Sequence, residues 1–484
     1  MKKSTKLMLT LVLGTMLLSA PATAQENPGE GGWTLLEAIE YAKKNNLQVK
    51  QTRANRDLDA VSLNQARLDR LPSLNGAATS TFSSGTTVDP TVQELRRVDY
   101  TSLGLQAGAS VPLFMGFQQI NRIKQFGLDL QASEQDILAI QDDITLQIIT
   151  SYLNILFAEE LTKTAELQRN TTQQQLDRTR ILFKAGSVAE NAVLDLESQL
   201  STDELDIINA QNQRDISRLA LIQLLNLEDE QAKEFEIIIP EIPEPDANPV
   251  LVNPGMVYDV ANQTRPGVKA ADLRVLSSTK ALDVARGAYY PRLTLNAGIN
   301  TFYNSQGQLF DPSGELEKRT LGFTNENGTE ELVIYTPGLT PRDYPFNDQL
   351  KDGIGEQIGL SLNIPIFNGF LVRNNIQRAK ISQLNAKLNA DIQRNQLRQT
   401  IEQAYVDAMA SQRKFTAAKQ QLTALEKNYK NAELRLNSGV INTVDFYVIT
   451  NNYRTAQSNV IQAKYEYTFK LKVLDFYQGK EITL

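Results

Sequence analysis

A short motif that occurs twice sets the organisation of this chain. Residues 111–117 read Val-Pro-Leu-Phe-Met-Gly-Phe, and residues 364–370 read Ile-Pro-Ile-Phe-Asn-Gly-Phe. Each copy follows a run of alternating apolar and polar residues and precedes a long polar stretch with helical periodicity. Because both copies have the same surroundings, the chain is predicted to be a duplication in which a strand passes into a long helix twice.

Each repeat is predicted to begin with an interrupted helix that ends at a proline. The first helix covers 33–70 and ends before Pro72, and its counterpart ends before Pro291. Apolar residues then alternate with small polar ones, which predicts a strand pair at 73–111 and another at 292–364.

The two predicted strand pairs differ in their connections. A short polar loop is expected at 83–100, and a long loop rich in Gly, Pro, Asn and acidic residues at 302–353. A loop of the second length is either functional or mobile.

Alternation over about 10 residues is typical of a transmembrane barrel strand, although a half-buried soluble hairpin has the same pattern. Six aromatic residues near one end of the strands favour the membrane, because they resemble an interfacial girdle: Phe114, Phe117, Tyr289, Tyr290, Phe367 and Phe370. Four strands cannot close a barrel, for which about eight are the minimum, so strands in lipid would require oligomerisation.

Very long helices are predicted at 118–184 and 371–437, each roughly 100 Å long at about 1.5 Å per residue. Each ends at a glycine turn, at Gly186 and at Gly439, and the chain then returns as another helix. The second return helix carries a heptad seam of apolar residues, namely Phe446, Ile449, Tyr453, Ala456, Val460, Ala463 and Tyr467.

These elements predict four segments. A signal peptide occupies 1–24, the first repeat 25–239, a Pro-rich linker 240–254 and the second repeat 255–484. The leader has basic, apolar and small-residue regions in the order of a secretory signal, and its apolar run is shorter than the roughly 20 residues of a membrane anchor.

The residue inventory excludes several kinds of chemistry. The chain has no Cys and no His, so thiolate nucleophiles, imidazole bases and His or Cys metal sites are impossible. The net charge of −7 becomes more negative when the basic leader is removed, which argues against nucleic acid as a partner. No metal and no cofactor is predicted.

The ordered, duplicated motifs resemble the TolC family of outer membrane efflux proteins over essentially the whole mature chain. The matching residues are Leu35-Leu36-Glu37-Ala38 with Asn45-Asn46-Leu47, the helix-to-strand prolines, the two Pro-Leu/Ile-Phe-x-Gly-Phe junctions, Gly186 and Gly439. The resemblance implies an α + β membrane protein that forms a homotrimer. Its 12-stranded β-barrel, with four strands per chain, would sit in outer-membrane lipid and continue as a periplasmic α-helical barrel.

The resemblance also implies a function. The protein would be the passive exit duct of a tripartite efflux or type I secretion system in a Gram-negative bacterium, and it would not be an enzyme. An inner-membrane RND or ABC-type pump would act with it through a periplasmic adaptor, or membrane fusion, protein. Adaptor and pump would dock at the two glycine turns.

The candidate gate residues are Asp195, Asp445 and Glu190. In members of the family, aspartates one or two turns after the turn glycine narrow the pore and bind cations. Asp445 follows Gly439 by six residues and Asp195 follows Gly186 by nine. Threefold symmetry would convert each carboxylate into a cation-attracting ring. The alternative is that acidic residues near a helix start are favoured by the helix dipole alone.

Adaptor contacts are expected at Gly186, Gly439 and three apolar neighbours, Val188, Val440 and Ile441, for which ordinary helix packing is an equal alternative. The helix–strand junctions are predicted at four prolines, Pro72, Pro112, Pro291 and Pro365.

Two other classes compete with a duct. A structural or adhesive surface protein with coiled-coil stalks would explain the heptads and the leader, but not the duplicated strand pairs. A paired-carboxylate hydrolase needs only two acids, but the acids of this chain are spread over helix faces and loops.

Overall fold

The computed structural model describes residues 32–88, 95–240, 244, 253–323 and 331–480. The predicted signal peptide and most of the predicted linker therefore lie outside the described residues. The first repeat folds into six elements: α1 (Leu35–Asn45), α2 (Leu47–Leu68), β1 (Ser73–Val88), β2 (Leu95–Met115), α3 (Gln118–Lys184) and α4 (Glu190–Leu225).

A short helix, α5 (Asp229–Lys233), follows these six elements at the end of the first repeat. The second repeat has the same elements with three additions: α6 (Pro254–Thr264), α7 (Pro266–Gly287), β3 (Arg292–Asn304), β4 (Gln308–Phe323), β5 (Glu331–Asp343), α8 (Phe346–Asp352), β6 (Gly355–Asn363), α9 (Leu371–Asn437) and α10 (Thr443–Tyr477). Pro254, the last residue of the predicted linker, is the first residue of α6, where its missing N–H is harmless.

The duplication is visible in the element bounds. Helices α3 and α9 both contain 67 residues, and they begin and end at the same offset of 253 residues. Helices α2 and α7 both contain 22 residues and are related by an offset of 219. The two offsets differ because the second strand pair carries the extra elements β4, β5 and α8.

Four strands form one antiparallel sheet in the order β1-β2-β3-β6, so the central pair joins the two repeats. The register places the predicted apolar positions on a single face. Leu74 pairs with Ala109, Ala109 with Ala297, and Ala297 with Ile358. These side chains share a face because residues two apart point the same way.

Three sequence expectations about the strands are wrong. The predicted loop at 83–100 is largely strand, since β1 continues to Val88 and β2 begins at Leu95. Pro112 does not end β2, which continues to Met115, because a register shift between Pro112 and Phe114 accommodates the proline. The junction to α3 therefore lies at Gly116 and Phe117, both with positive φ.

The third correction concerns the predicted long loop at 302–353. It contains a two-stranded antiparallel sheet of β4 and β5, followed by the short helix α8. The other three junction prolines lie where strands and helices meet: Pro72 before β1, Pro291 before β3 and Pro365 between β6 and α9.

The helices pair as two long hairpins, α3 with α4 and α9 with α10. The largest buried cluster lies where α1, α3 and α4 meet, around Trp33, Tyr152 and Phe235. The Tyr152 hydroxyl donates to the backbone carbonyls of Trp33 and Ile238, at 3.1 and 2.5 Å. Among the described residues, no helix is both long and apolar enough to cross a membrane.

Candidate functional site at the helical hairpin turns

Each long hairpin reverses at a glycine with positive φ, 72° at Gly186 and 70° at Gly439. In both turns the amide that follows the glycine donates to the carbonyl five residues earlier, at 2.9 and 2.8 Å. This pattern closes a helix through a left-handed residue, where a side chain would be strained. No heavy atom lies within 4 Å of a Cβ built on either glycine. The positive φ, and not a lack of space, therefore favours glycine at both positions.

The return helices begin four residues after each glycine, α4 at Glu190 and α10 at Thr443. The Asn442 side chain caps α10 by accepting from the Asp445 amide at 2.8 Å, whereas the residue before α4 provides no side-chain cap. Glu190 and Asp445 lie in the first turns of their helices, where the dipole favours a carboxylate. Both positions thus have a local explanation as well as a functional one.

The structure exposes all three candidate carboxylates, Asp195, Asp445 and Glu190. Asp195 of the first hairpin lies near Tyr447 of the second, two residues after Asp445. Burial, together with the Asp195 charge, raises the pKa of Tyr447 well above its ordinary value. The Tyr447 hydroxyl is buried and makes no hydrogen bond within the described residues. Among all the residues that the structure describes, no group of three acidic side chains is placed to hold a metal ion.

The predicted apolar residues beside the turns are partly accessible. Val440 is 64% exposed, and Val188 and Ile441 are half-buried. The last turns of the long helices add further exposed apolar side chains that were not among the predicted residues, namely Ile181, Phe183 and Leu434. The sequence feature that could have identified two of them is the apolar run Ile181-Leu182-Phe183 directly before a turn. Apolar surface at a protruding end is typical of a contact site.

A buried polar cluster joins the two hairpins farther from the turns. The Arg454 guanidinium of α10 donates to Asp203 of α4 and to Thr172 of α3, each at 2.8 Å. Thr172 also donates to Asp203, and Gln199 donates to Asp203 at 2.8 Å. The Asp203 side chain is 1% exposed and that of Arg454 13%. Burial lowers the pKa of Arg454, and the Asp203 charge opposes that shift.

This cluster borders a groove of about 690 Å³ between α3, α4 and α10. Its lining mixes apolar residues with polar ones that include Gln168, Asp206, Asn209 and Asn451. Neither the cluster nor the groove was predicted from the sequence. Asp203 and Arg454 are 251 positions apart. The sequence of a polar helix does not indicate which distant residue pairs with one of its charged side chains.

A family model described as "Outer membrane efflux protein" matches residues 38–227 and 347–480. The two ranges cover well over half of the chain, and each contains one long helical hairpin. The chain belongs to the outer membrane efflux protein family.

Individual proteins are similar to this chain over most of its length. Outer membrane protein TolC of Escherichia coli K12 is 22% identical over 96% of this chain and 84% of its own length. Nodulation protein T of Rhizobium leguminosarum bv. trifolii is 23% identical over 92% of this chain and 85% of its own length. The crystal structure of VceC from Vibrio cholerae superposes with a TM-score of 0.68 at 15% identity, covering 93% and 97% of the two chains.

Membership of the outer membrane efflux protein family confirms the main sequence predictions. The fold class is that of a trimeric 12-stranded β-barrel, with four strands per chain, continued by a helical barrel. The protein is located in the outer membrane with a periplasmic extension, and it acts there as an exit duct. Its relatives are channel proteins.

Proposed function

We propose that this exit duct is passive and is supplied by an inner-membrane RND or ABC-type pump through a periplasmic adaptor protein that docks at the two glycine turns. The observation that carries the proposal is the exposed end of the two hairpins. Accessible apolar residues such as Val440 and Phe183 lie there beside exposed carboxylates. The helices that present this end would reach roughly 100 Å from the sheet, which suits a path through the periplasm.

In this proposal the carboxylates control the entrance and catalyse nothing. Three copies of Asp195 and of Asp445 would form rings that concentrate cations and repel anions. The nearness of Asp195 to Tyr447 supports a contact between the two hairpins at this level. Glu190, in the first turn of α4, would add to the same negative field.

Single-channel recording of the purified trimer in a planar bilayer tests this gate. Wild-type protein should show low, cation-selective conductance. Asp195→Ala and Asp445→Ala should each raise the conductance or weaken the selectivity, because each removes three carboxylates from a narrow aqueous path.

Glu204→Ala is the matched control, because Glu204 is an exposed acid on the same helix as Asp195 but farther from the turn. It should leave both properties unchanged. Equal effects of all three substitutions would contradict a gate at the turns. Absence of any conductance from an intact trimer would contradict passive conduction itself.

A further inference from the structure

Strands β4 and β5 form a two-stranded ribbon, Gln308–Phe323 with Glu331–Asp343, that is separate from the four-stranded sheet. The ribbon lies outside both ranges that match the family. An isolated pair of strands is only marginally stable in water unless one face is covered. A stable ribbon therefore needs a further contact that covers one of its faces.

The half of the ribbon nearer the sheet has an apolar face. On β5 this face consists of Pro337, Leu339 and Pro341, and their partners on β4 are Leu316, Pro312 and Phe310. Farther out, Val333 and Tyr335 on the same face pair with Thr320 and Lys318, and Lys318 forms an ion pair with Glu331. On the opposite face Arg342 pairs with Asp311 at 3.0 Å. Leu316 is 66% exposed, Tyr335 62% and Leu339 56%, so the described residues of one chain leave the apolar face uncovered.

The base of the ribbon is firmly held by the rest of the sheet. Gln349 of α8 is 5% exposed. Its amide accepts from the Asn304 N–H at 2.9 Å and donates to the Asn304 carbonyl at 3.1 Å, so it takes the place of a neighbouring strand beside β3. Ser305 bonds to the backbone of Thr101 on β2 through two contacts of 2.9 Å. The ribbon thus leaves the sheet at a fixed position.

The opposite edge of the sheet has a complementary feature. Strand β1 has 16 residues and the other edge strand, β6, has only nine. When the barrel closes, β6 of one copy pairs with β1 of the next, so much of β1 extends beyond its new partner. We call residues 82–88 and 95–101, the outer parts of β1 and β2, the β1–β2 extension. Phe82 is 69% exposed and Leu95 75% exposed within it.

We propose that the ribbon of each copy packs its apolar face on the β1–β2 extension of the next copy and forms a clasp between subunits outside the barrel. The ribbon leads through α8 directly into β6, the strand that lies beside the neighbour's β1. The clasp therefore continues the barrel interface. It rests on the trimeric barrel and is independent of the gate and of the pump.

The chemistry of the ribbon favours side-chain packing over a longer shared sheet. Pro312, Pro337 and Pro341 lack the N–H that a strand ladder needs, which is typical of protected edges. The β1–β2 extension carries Arg97 and Asp99 on the face of Phe82, and the ribbon carries Lys318 and Glu331 on the face of Tyr335, so opposite charges are available on the two surfaces.

Cysteine cross-linking tests the clasp cleanly, because the chain has no cysteine of its own. Two double variants, Phe82→Cys with Leu339→Cys and Leu95→Cys with Tyr335→Cys, place thiols on the two proposed surfaces. The matched controls replace the ribbon residue by a polar neighbour on the opposite face: Phe82→Cys with Thr340→Cys, and Leu95→Cys with Thr336→Cys. Oxidised trimers should give covalent dimers and trimers on a non-reducing gel severalfold more often in the apolar-face pairs.

Two results would overturn the clasp. One is an intact trimer in which the apolar-face pairs cross-link no more than the controls. The other is a disulfide within a single chain, which would mean that the ribbon covers its own extension.

A second measurement distinguishes a protein cover from a lipid cover. In the single variant Leu339→Cys, a water-soluble maleimide should react severalfold more slowly in the detergent-solubilised trimer than in the dissociated chain. The thiol in Thr340→Cys should react at similar rates in both. Protection of Leu339→Cys that appears in lipid vesicles but not in the detergent-solubilised trimer would assign the apolar face to lipid and contradict the clasp.

Discussion

At the scale of residues, Arg454 shows how a charge can connect elements that are distant in sequence. Taking a guanidinium out of water is unfavourable unless a carboxylate and further hydrogen bonds compensate. Asp203 and Thr172 supply both, and they belong to the first hairpin whereas Arg454 belongs to the second. The contact therefore requires the hairpins to keep a fixed relative position, which an aliphatic contact would not demand.

Replacing Asp203 or Asp206 by asparagine should change the stability of the folded protein in opposite directions. Asp203→Asn should destabilise the protein by about 3–5 kcal/mol at neutral pH, because it leaves the buried Arg454 charge without its partner.

Burial and the Asp203 charge raise the pKa of Asp206, so ionised Asp206 is disfavoured in the folded state. A raised carboxyl pKa means that folding stability falls as the pH rises through that pKa. Asp206→Asn should therefore raise the melting temperature at pH 7.

The gain from Asp206→Asn should disappear below pH ~3.9, the ordinary aspartate pKa, where the native carboxyl is already neutral in both states. Thermal unfolding of the purified trimers across this pH range measures both effects. A stabilising effect of Asp206→Asn that persisted unchanged in acid would show that charge is not its cause.

At the scale of elements, each turn glycine has a positive φ that strains other residues, whereas a glycine inside a helix does not. Gly439→Ala should destabilise the second hairpin by about 1–2 kcal/mol, because alanine is strained at a φ of 70°. Gly127→Ala is the matched control inside α3, where a Cβ meets nothing within 4 Å. It should be neutral or stabilising by up to ~1 kcal/mol, since alanine is the better helix former. Thermal unfolding followed by circular dichroism distinguishes the two.

The elements also show where sequence reasoning succeeds. The long helices α3 and α9 were predicted at their observed bounds, because a Gly-Phe junction and a glycine turn delimit each polar, proline-free stretch. The apolar strand face was predicted because period-two alternation survives in every strand of the sheet. Local signals of this kind need no knowledge of a partner.

Sequence reasoning failed where a local signal has two meanings. The prolines of β4 and β5 indicated a loop, although both strands of an isolated ribbon are edges that tolerate proline. Pro112 indicated a strand end, although a bulge accommodates it. At the site, the turns were predicted from their glycines, whereas the pairing of Asp203 with Arg454 depends on a fold in which separate hairpins meet.

At the scale of the whole molecule, contacts between the repeats indicate the contacts between copies. Within the chain α3 of the first repeat packs against α7 of the second. The junction of β2 and α3 lies so close to α7 that a Cβ on Gly116 would come within 2.2 Å of the Gly287 carbonyl oxygen. The counterpart of Gly116 is Gly369, and a Cβ there meets nothing within 4 Å. By analogy with this contact, we expect α9 of one copy to pack against α2 of the next.

Exposure supports this assignment. Leu58 of α2 is 66% exposed, yet its counterpart in α7, Ser277, is 4% exposed. Helix α9 likewise exposes an apolar stripe at helical spacing, formed by Ile381, Leu384, Leu388 and Ile392. Apolar side chains in such a row need a cover, and Leu58 on the neighbouring copy is placed to help provide it.

Leu58→Asp should therefore disrupt the trimer while each chain keeps its fold, because a carboxylate would be buried without a partner between α2 and α9 of the next copy. We expect trimer association to weaken at least about tenfold, which corresponds to ~1.4 kcal/mol. Leu276→Asp is the matched control. Leu276 is 53% exposed on α7, and its counterpart in α2 is already the exposed acid Asp57. Native mass spectrometry of the detergent-solubilised proteins measures the trimer fraction, and circular dichroism measures retained helix. Equal trimer fractions in the two variants would show that the repeat contact is not reproduced between subunits.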